Sequence, residues 1–244
     1  MFSLFRKKEE RAESDYFPLT TDIHSHILPG IDDGSPDINT SITLIQGLMK
    51  MGVTKSIATP HIIGDMYRNN PDTIGKAQKK LQDELTKRKI KFELSAAAEY
   101  MLDSYFFELL DSGQKLLTIK DNILLTEFSY ASRPDDPGKL SFAIIMAGYT
   151  PILAHPERYP YYYGVNKMYH HLVDLGFQLQ LNLLSLTGYY GKDAAKVAQY
   201  LLKNNLYTYI GTDMHHERHL AALSDPRNKA LFNKYLAHKK WNEL

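Results

Sequence analysis

Residues 20–34 read TTDIHSHILPGIDDG. A short β-rich run, Leu19 to His24, closes on a His-x-His pair and passes into a Pro-Gly turn with two aspartates. In an extended segment residues two apart share a face, so His24 and His26 point the same way. Working outward, short apolar runs closing on the same residue types recur along the chain. ATPH ends on His61, SAAAE on Glu99, LLTEF on Glu127, ILAHPER carries His155, and YIGTDMH carries Asp213 and His215. Seven β-rich runs can be read in all: Leu19 to His24, Val53 to Thr59, Phe92 to Ala98, Asn122 to Phe128, Thr150 to His155, Phe177 to Asn182 and Leu206 to Thr212. Longer polar segments with helical spacing follow them, the pattern of βα units around a parallel sheet. Ile42, Leu44, Ile45, Leu48 and Met49 form a helical stripe that Asp37 would cap and Gly52 would stop, and Gln78 to Lys91 reads as a charged outer helix. The expectation is an α/β fold, one barrel-like domain over residues 19–244 behind a flexible tail of residues 1–18. In such a barrel the carboxyl ends of the strands converge on one mouth, where ligands and catalysis are found.

Composition narrows the chemistry. A chain of 244 residues can bury a full core. The net charge of +1 gives no reason to expect a nucleic acid as an obligatory partner. The absence of cysteine excludes disulfides, thiolate metal sites and cysteine nucleophiles, so any metal must be held by nitrogen and oxygen. No apolar run approaches the roughly 20 residues of a membrane span, and the opening MFSLFRKKEERAE has too short an apolar patch for a secretion signal. The cytoplasm is the expected compartment. Phe2, Leu4 and Phe5 ahead of Arg6, Lys7 and Lys8 read as a solvated tail, or else as a weak contact for a membrane surface or a partner.

Each polar residue has an ordinary explanation when taken singly. A His-x-His pair occurs in many loops, Glu127 reads equally as a buried carboxylate paired with an arginine, His61 as a cap after Pro60, and Asp33 as a turn residue beside Gly34. Together they form a set of imidazoles and carboxylates too costly to bury unpaired, which cations at the mouth would neutralise. Thiol-free ligation rich in carboxylates suits Mn, Zn or Fe, with no choice among them.

The segments DIHSHILPGIDDG, ATPH, AAAEY, LLTEF, LAHPERY and TDMHH, in that order, resemble the polymerase and histidinol phosphatase (PHP) superfamily. The resemblance is strongest to the metal-dependent protein-tyrosine phosphatases of bacterial capsule and exopolysaccharide operons. It implies a distorted seven-stranded (β/α) barrel of PHP type and three divalent metal ions, Mn first, with Zn or Fe as alternatives. One ion would be held by His24, His26, Glu99 and Asp213, a second by Glu99, Glu127 and His155, and a third by Asp33, His61 and His215, with Glu99 bridging. Arg158 matches the family's phosphate-binding arginine. Another arginine usually follows the TDMHH segment, and here Arg218 stands slightly early. The implied partner is a phosphotyrosine protein, a bacterial tyrosine autokinase of polysaccharide export.

Metal-activated water would then attack a phosphomonoester in line, with Arg158 donating to the equatorial oxygens and Arg133 or Arg218 as weaker candidates. The phenol leaving group, with a pKa near 10, needs protonation less than an alkyl alcohol does, and His215 or a water would supply the proton. Tyr159, Tyr161, Tyr162, Tyr163, Tyr189 and Tyr190 would either wall a pocket for the tyrosyl ring or cover the barrel rim. Asp22 is expected to orient an imidazole, and His170, His171, His216, His219 and His238 to be surface or supporting groups. Three rivals stay open. Histidinol-phosphate hydrolysis would share every ligand. A metal-dependent nuclease lacks the basic, aromatic groove that strand binding needs. A non-catalytic scaffold would not require so many ligands at an open mouth.

Overall fold

A computed structural model describes residues 17–243 of the chain. The expectation of a tail over residues 1–18 falls almost wholly outside them, as do Phe2, Leu4, Phe5 and the basic residues behind them.

All seven β-rich runs form strand, but as nine short strands rather than seven. They are β1 (Thr21–Asp22), β2 (Lys55–Ala58), β3 (His61–Ile62), β4 (Glu93–Ala96), β5 (Glu99–Met101), β6 (Ile123–Glu127), β7 (Thr150–Ala154), β8 (Gln178–Asn182) and β9 (Tyr207–Gly211). The extra two arise from breaks. Pro60, which has no N–H to give a ladder, separates β2 from β3, and Ala97 and Ala98 separate β4 from β5. The strands consequently fall into two parallel sheets, β1-β2-β4 and β3-β5-β6-β7-β8-β9, where a distorted seven-stranded barrel was expected. Backbone bonds from Ala97 N to Ala58 O (2.8 Å) and from Glu99 N to Pro60 O (3.1 Å) carry the pairing across the breaks. On the other side, Asp213 N donates to His24 O and His26 N to Met214 O, both at 2.8 Å, which ties the chain after β1 to the chain after β9. Asn242 bridges the same strands, its amide donating to Thr21 O and Ile210 O and its carbonyl accepting from Ile210 N.

Helices cover the outside. α1 (Ile38–Lys50) starts where expected, with the Asp37 carboxylate accepting from Asn39 N and Thr40 N, and buries Ile42, Leu44, Ile45 and Leu48. α2 (Pro71–Lys87) begins seven residues before the predicted Gln78, because Asn70 and Thr73 form a reciprocal cap and Pro71 fits the first turn. α3 (Ser104–Asp111), α4 (Pro137–Met146), α5 (Asn166–Asp174) and α6 (Lys192–Lys203) follow successive strands, and α7 (Glu217–Ser224) and α8 (Pro226–Leu236) follow β9. Between strands and helices lies the larger apolar core. A second cluster of Ile23, Ile57, Ala97, Ile119, Leu125, Ile152, Ala154 and Tyr209 lies on the opposite face of the strands. Strand alternation explains the split, since Leu125 and Ile152 belong to the second cluster while their neighbours Leu124 and Leu153 pack under the helices. Among the described residues no helix is long and apolar enough to cross a membrane.

Candidate metal centre

The strands deliver their polar terminal residues to one place. His24 and His26 leave β1, His61 opens β3, Glu99 opens β5, Glu127 closes β6, and His155 and Asp213 follow β7 and β9. Two glycines allow the close approach. A Cβ on Gly34 would lie 2.1 Å from His26 O, and one on Gly211 would lie 2.7 Å from the Cβ of His24. His155 (φ 36°) and Asp213 (φ 50°) sit in the left-handed region, a strain of about 1 kcal/mol each that the surrounding structure must hold.

All nine expected metal ligands converge. Their donor atoms fall into four overlapping groups: His26, Asp33, His61 and His215; His24, His26 and Asp213; His24, Glu99 and His155; and His61, Glu99 and Glu127. Glu99 Oε2 stands 3.2 Å from His24 Nε2, 3.3 Å from His26 Nε2 and 3.2 Å from His61 Nδ1. Glu127 lies 3.2 Å from His61 and 4.0 Å from His155. His61 Nδ1, Glu99 Oε2 and Glu127 Oε1 are buried and close to one another, yet none is aligned for a hydrogen bond. Lone pairs that converge without bonding fit a cation between them, and a donor set of nitrogen and oxygen suits a divalent first-row metal.

Electrostatics within the cluster point the same way. Burial opposes a charge on His24, but the Glu99 and Asp213 carboxylates outweigh it and raise its pKa to about 9. His26 is likewise raised against burial, chiefly by Asp32. Glu99 and Asp213 are held well below the usual carboxylate range despite burial, both by His24 first and then by His61 and His215 respectively. His215 goes the other way, to about 4, because burial and the neighbouring His26 both disfavour its charge. The carboxylates therefore stay ionised and draw positive charge, whether carried by imidazolium or by a metal.

Several supporting residues escaped the sequence reading. Asp32, not only Asp33, matters: its buried carboxylate takes the His26 ring at 2.8 Å and accepts from His61 N and Gly34 N, while Asp33 faces solvent 3.6 Å from both His61 and His215. Gln180 holds the His24 ring through Oε1 at 2.8 Å, and the Tyr130 hydroxyl lies 3.1 Å from His155 Nδ1. Asn182 donates to Asp213 Oδ2 at 2.8 Å. Glu157, wholly buried, accepts from Asn182 N, Ser185 Oγ and the Tyr207 hydroxyl, and so pins the 3-10 turn (Pro156–Arg158) that follows His155. The polar alternation QLQLN of residues 178–182 was the signal available for Gln180 and Asn182. Asp22 does not orient an imidazole; it accepts from Thr212 N, Thr212 Oγ1 and His24 N and braces the backbone.

Arg158 reaches the cluster, its Nη1 2.5 Å from Asp213 Oδ2 and its guanidinium 4.0 Å above the Tyr190 ring. Arg133 and Arg218 do not line either cavity at the mouth. Both are exposed, Arg133 beyond β6 and Arg218 on the outer side of α7, where its early position in the sequence puts it. His170, His171 and His238 are exposed as expected, whereas His219 is buried beside Asp213 O and His216 caps α7.

Known proteins of similar sequence and fold can be named. The Bacillus subtilis tyrosine-protein phosphatase YwqE is 30% identical over 194 residues, 80% of this chain and 76% of the relative. The putative tyrosine-protein phosphatase CapC of Staphylococcus aureus is 29% identical over 201 residues, with the same coverage. A crystal structure from work on YwqE and Streptococcus pneumoniae CpsB, described as unique metal-dependent tyrosine phosphatases, superposes with a TM-score of 0.79 at 27% identity, covering 90% of this chain and 88% of that one. Histidinol phosphate phosphatase of Lactococcus lactis shares the fold alone, at a TM-score of 0.50 and 14% identity over 86% of this chain. Residues 20–235 match the family pattern for capsular polysaccharide synthesis, CpsB/CapC, and with the site residues lying inside that span, the chain belongs to the CpsB/CapC family.

Proposed function

We propose that the chain is a metal-dependent protein-tyrosine phosphatase of capsule or exopolysaccharide synthesis, the activity carried in the names of its Bacillus and streptococcal relatives. The observation that carries it is the convergence of four ligand groups on one mouth with Arg158 beside them. His24, His26, Asp33, His61, Glu99, Glu127, His155, Asp213 and His215 would hold divalent cations, three in number and manganese first, with Glu99 shared between two. When bound, such cations acidify water toward hydroxide near neutral pH and neutralise phosphate oxygens. Arg158 would turn its fork to the phosphoryl oxygens, with Tyr190 behind it. Asp32, Gln180 and Tyr130 would keep the ring nitrogens of His26, His24 and His155 in register. His215 would serve as a ligand, with it or a water as the proton source, and an aryl leaving group tolerates the lack of a dedicated acid.

The same reading takes residues 19–244 as one domain, a distorted barrel in which β2 continues into β3 and β4 into β5. It takes the substrate to be a phosphorylated tyrosine autokinase in the cytoplasm. The test is the protein stripped by chelation, reloaded with Mn, Zn or Fe, and given a phosphotyrosine peptide and histidinol phosphate side by side. Metal-dependent turnover of the peptide at least about tenfold above histidinol phosphate is expected, and the reverse order would replace this assignment with histidinol phosphatase.

A further inference from the structure

Two cavities open at the mouth and share a wall. The smaller, 110 Å³, lies over the ligand cluster and is bounded by Glu99, Glu127, His155 and Arg158. The larger, 230 Å³, adjoins it across Asp33, Arg158, Asp213 and His215, which line both. Its remaining walls are three rings, Tyr190, His216 and His219. A phosphoryl group drawn to the charges of the first cavity would project whatever it is bonded to across this shared wall.

The rings are held in place. Arg158 covers one face of Tyr190, whose hydroxyl lies 3.4 Å from His219 Nε2 and 3.4 Å from the Asn182 amide. His216 and His219 have ring centroids 4.0 Å apart, and His216 Nδ1 accepts from His219 N at the start of α7. The tyrosine-rich stretch at 159–163 is excluded from this wall. Tyr159 and Tyr162 are core residues, and Tyr161 turns its hydroxyl to Ser129 O.

We infer that the larger cavity is the seat of the phosphomonoester's aryl group, and that Tyr190 and His216 select an aromatic over an aliphatic leaving group. The inference rests on the phosphatase reading and adds to it a subsite that shares Asp33, Asp213 and His215 with the cation ligands and takes its own walls from Tyr190, His216 and His219. Packed ring pairs of this kind alter affinity by about threefold to tenfold each.

Calorimetry on the full chain loaded with manganese, with phenylphosphonate and methylphosphonate as non-hydrolysable probes, tests it. The wild-type chain should bind phenylphosphonate about tenfold more tightly than methylphosphonate. His216→Asn keeps a capping acceptor for α7 and removes the ring, so it should narrow that preference about threefold while methylphosphonate affinity stays within about twofold. Tyr190→Leu should narrow it further and weaken methylphosphonate as well, because the ring also backs Arg158. A wild-type chain without preference, or a preference untouched in both variants, overturns the aryl seat. Binding of neither phosphonate by the loaded wild-type chain overturns the phosphatase reading, and the subsite with it.

Discussion

The same strands build two regions of opposite character. In the inner cluster, Ile23, Leu125, Ile152 and Ala154 are buried and apolar, and each adds to stability by leaving water. At the mouth, His24 follows Ile23 and His155 follows Ala154, equally buried, but with imidazole and carboxylate packed at 3.2–3.4 Å. Burying such charges costs several kcal/mol per ion unless partners compensate, and two of the residues there also carry left-handed backbone. One region holds the fold together, and the other is held by it. Substitutions in the two should therefore separate cleanly into losses of stability and losses of chemistry.

The largest effect is expected at the shared carboxylate. Glu99→Ala should remove bound metal and lower phosphatase activity on the order of 10³-fold. Arg158→Ala should lose about 10²-fold or more in turnover and keep its metal, as elemental analysis would report. A full metal complement in the Glu99 variant would break the contrast, because it would mean that no ion depends on that residue. In the inner cluster the outcome should invert. Ile152→Ala should cost about 2–4 kcal/mol in denaturant unfolding and leave metal stoichiometry untouched. If stability were unchanged and metal lost, the inner cluster would be part of the site and not its foundation.

A further effect concerns protons. Without a cation His24 titrates at about 9, raised above its ordinary 6.5, so across that interval the ring carries a proton that a metal must displace. Metal affinity should consequently rise with pH across that interval, by about tenfold per unit for each proton displaced. Competition titrations with a chelator between pH 6.5 and 9 would read the slope. A flat profile would mean that Glu99 and Asp213 do not hold a charge on the imidazoles.

Much of the site was legible because a strand's carboxyl end is visible in sequence. LLTEF and ILAHPER each show an apolar run giving way to a ligand-type residue at a strand's end, whereas His61 and Glu99, read as closing strands, open β3 and β5 after the breaks. Helix α1 was legible from its cap and its apolar stripe, whereas the start of α2 lay in the reciprocal Asn70–Thr73 bonds, which spacing alone does not reveal. The supporting residues were hidden for another reason. Asp32 and Asp33 are adjacent and chemically identical, and only the fold of the loop, with Gly34 pressed against His26, turns one inward and leaves the other at the rim.

From the sequence alone came the ligand types, their strand-end positions and the exclusion of thiol chemistry, since these depend on composition and on a local period of two. Which of these side chains come within reach of one another was decided by the tertiary structure. Glu127 stands nearer His61 than His155, and Arg158 meets Asp213, 55 positions on, because distances across separate strands depend on sheet pairing and not on spacing along the chain. Arg133 and Arg218 were indistinguishable from Arg158 as charges. Only packing brought one of the three, half-buried, against the mouth.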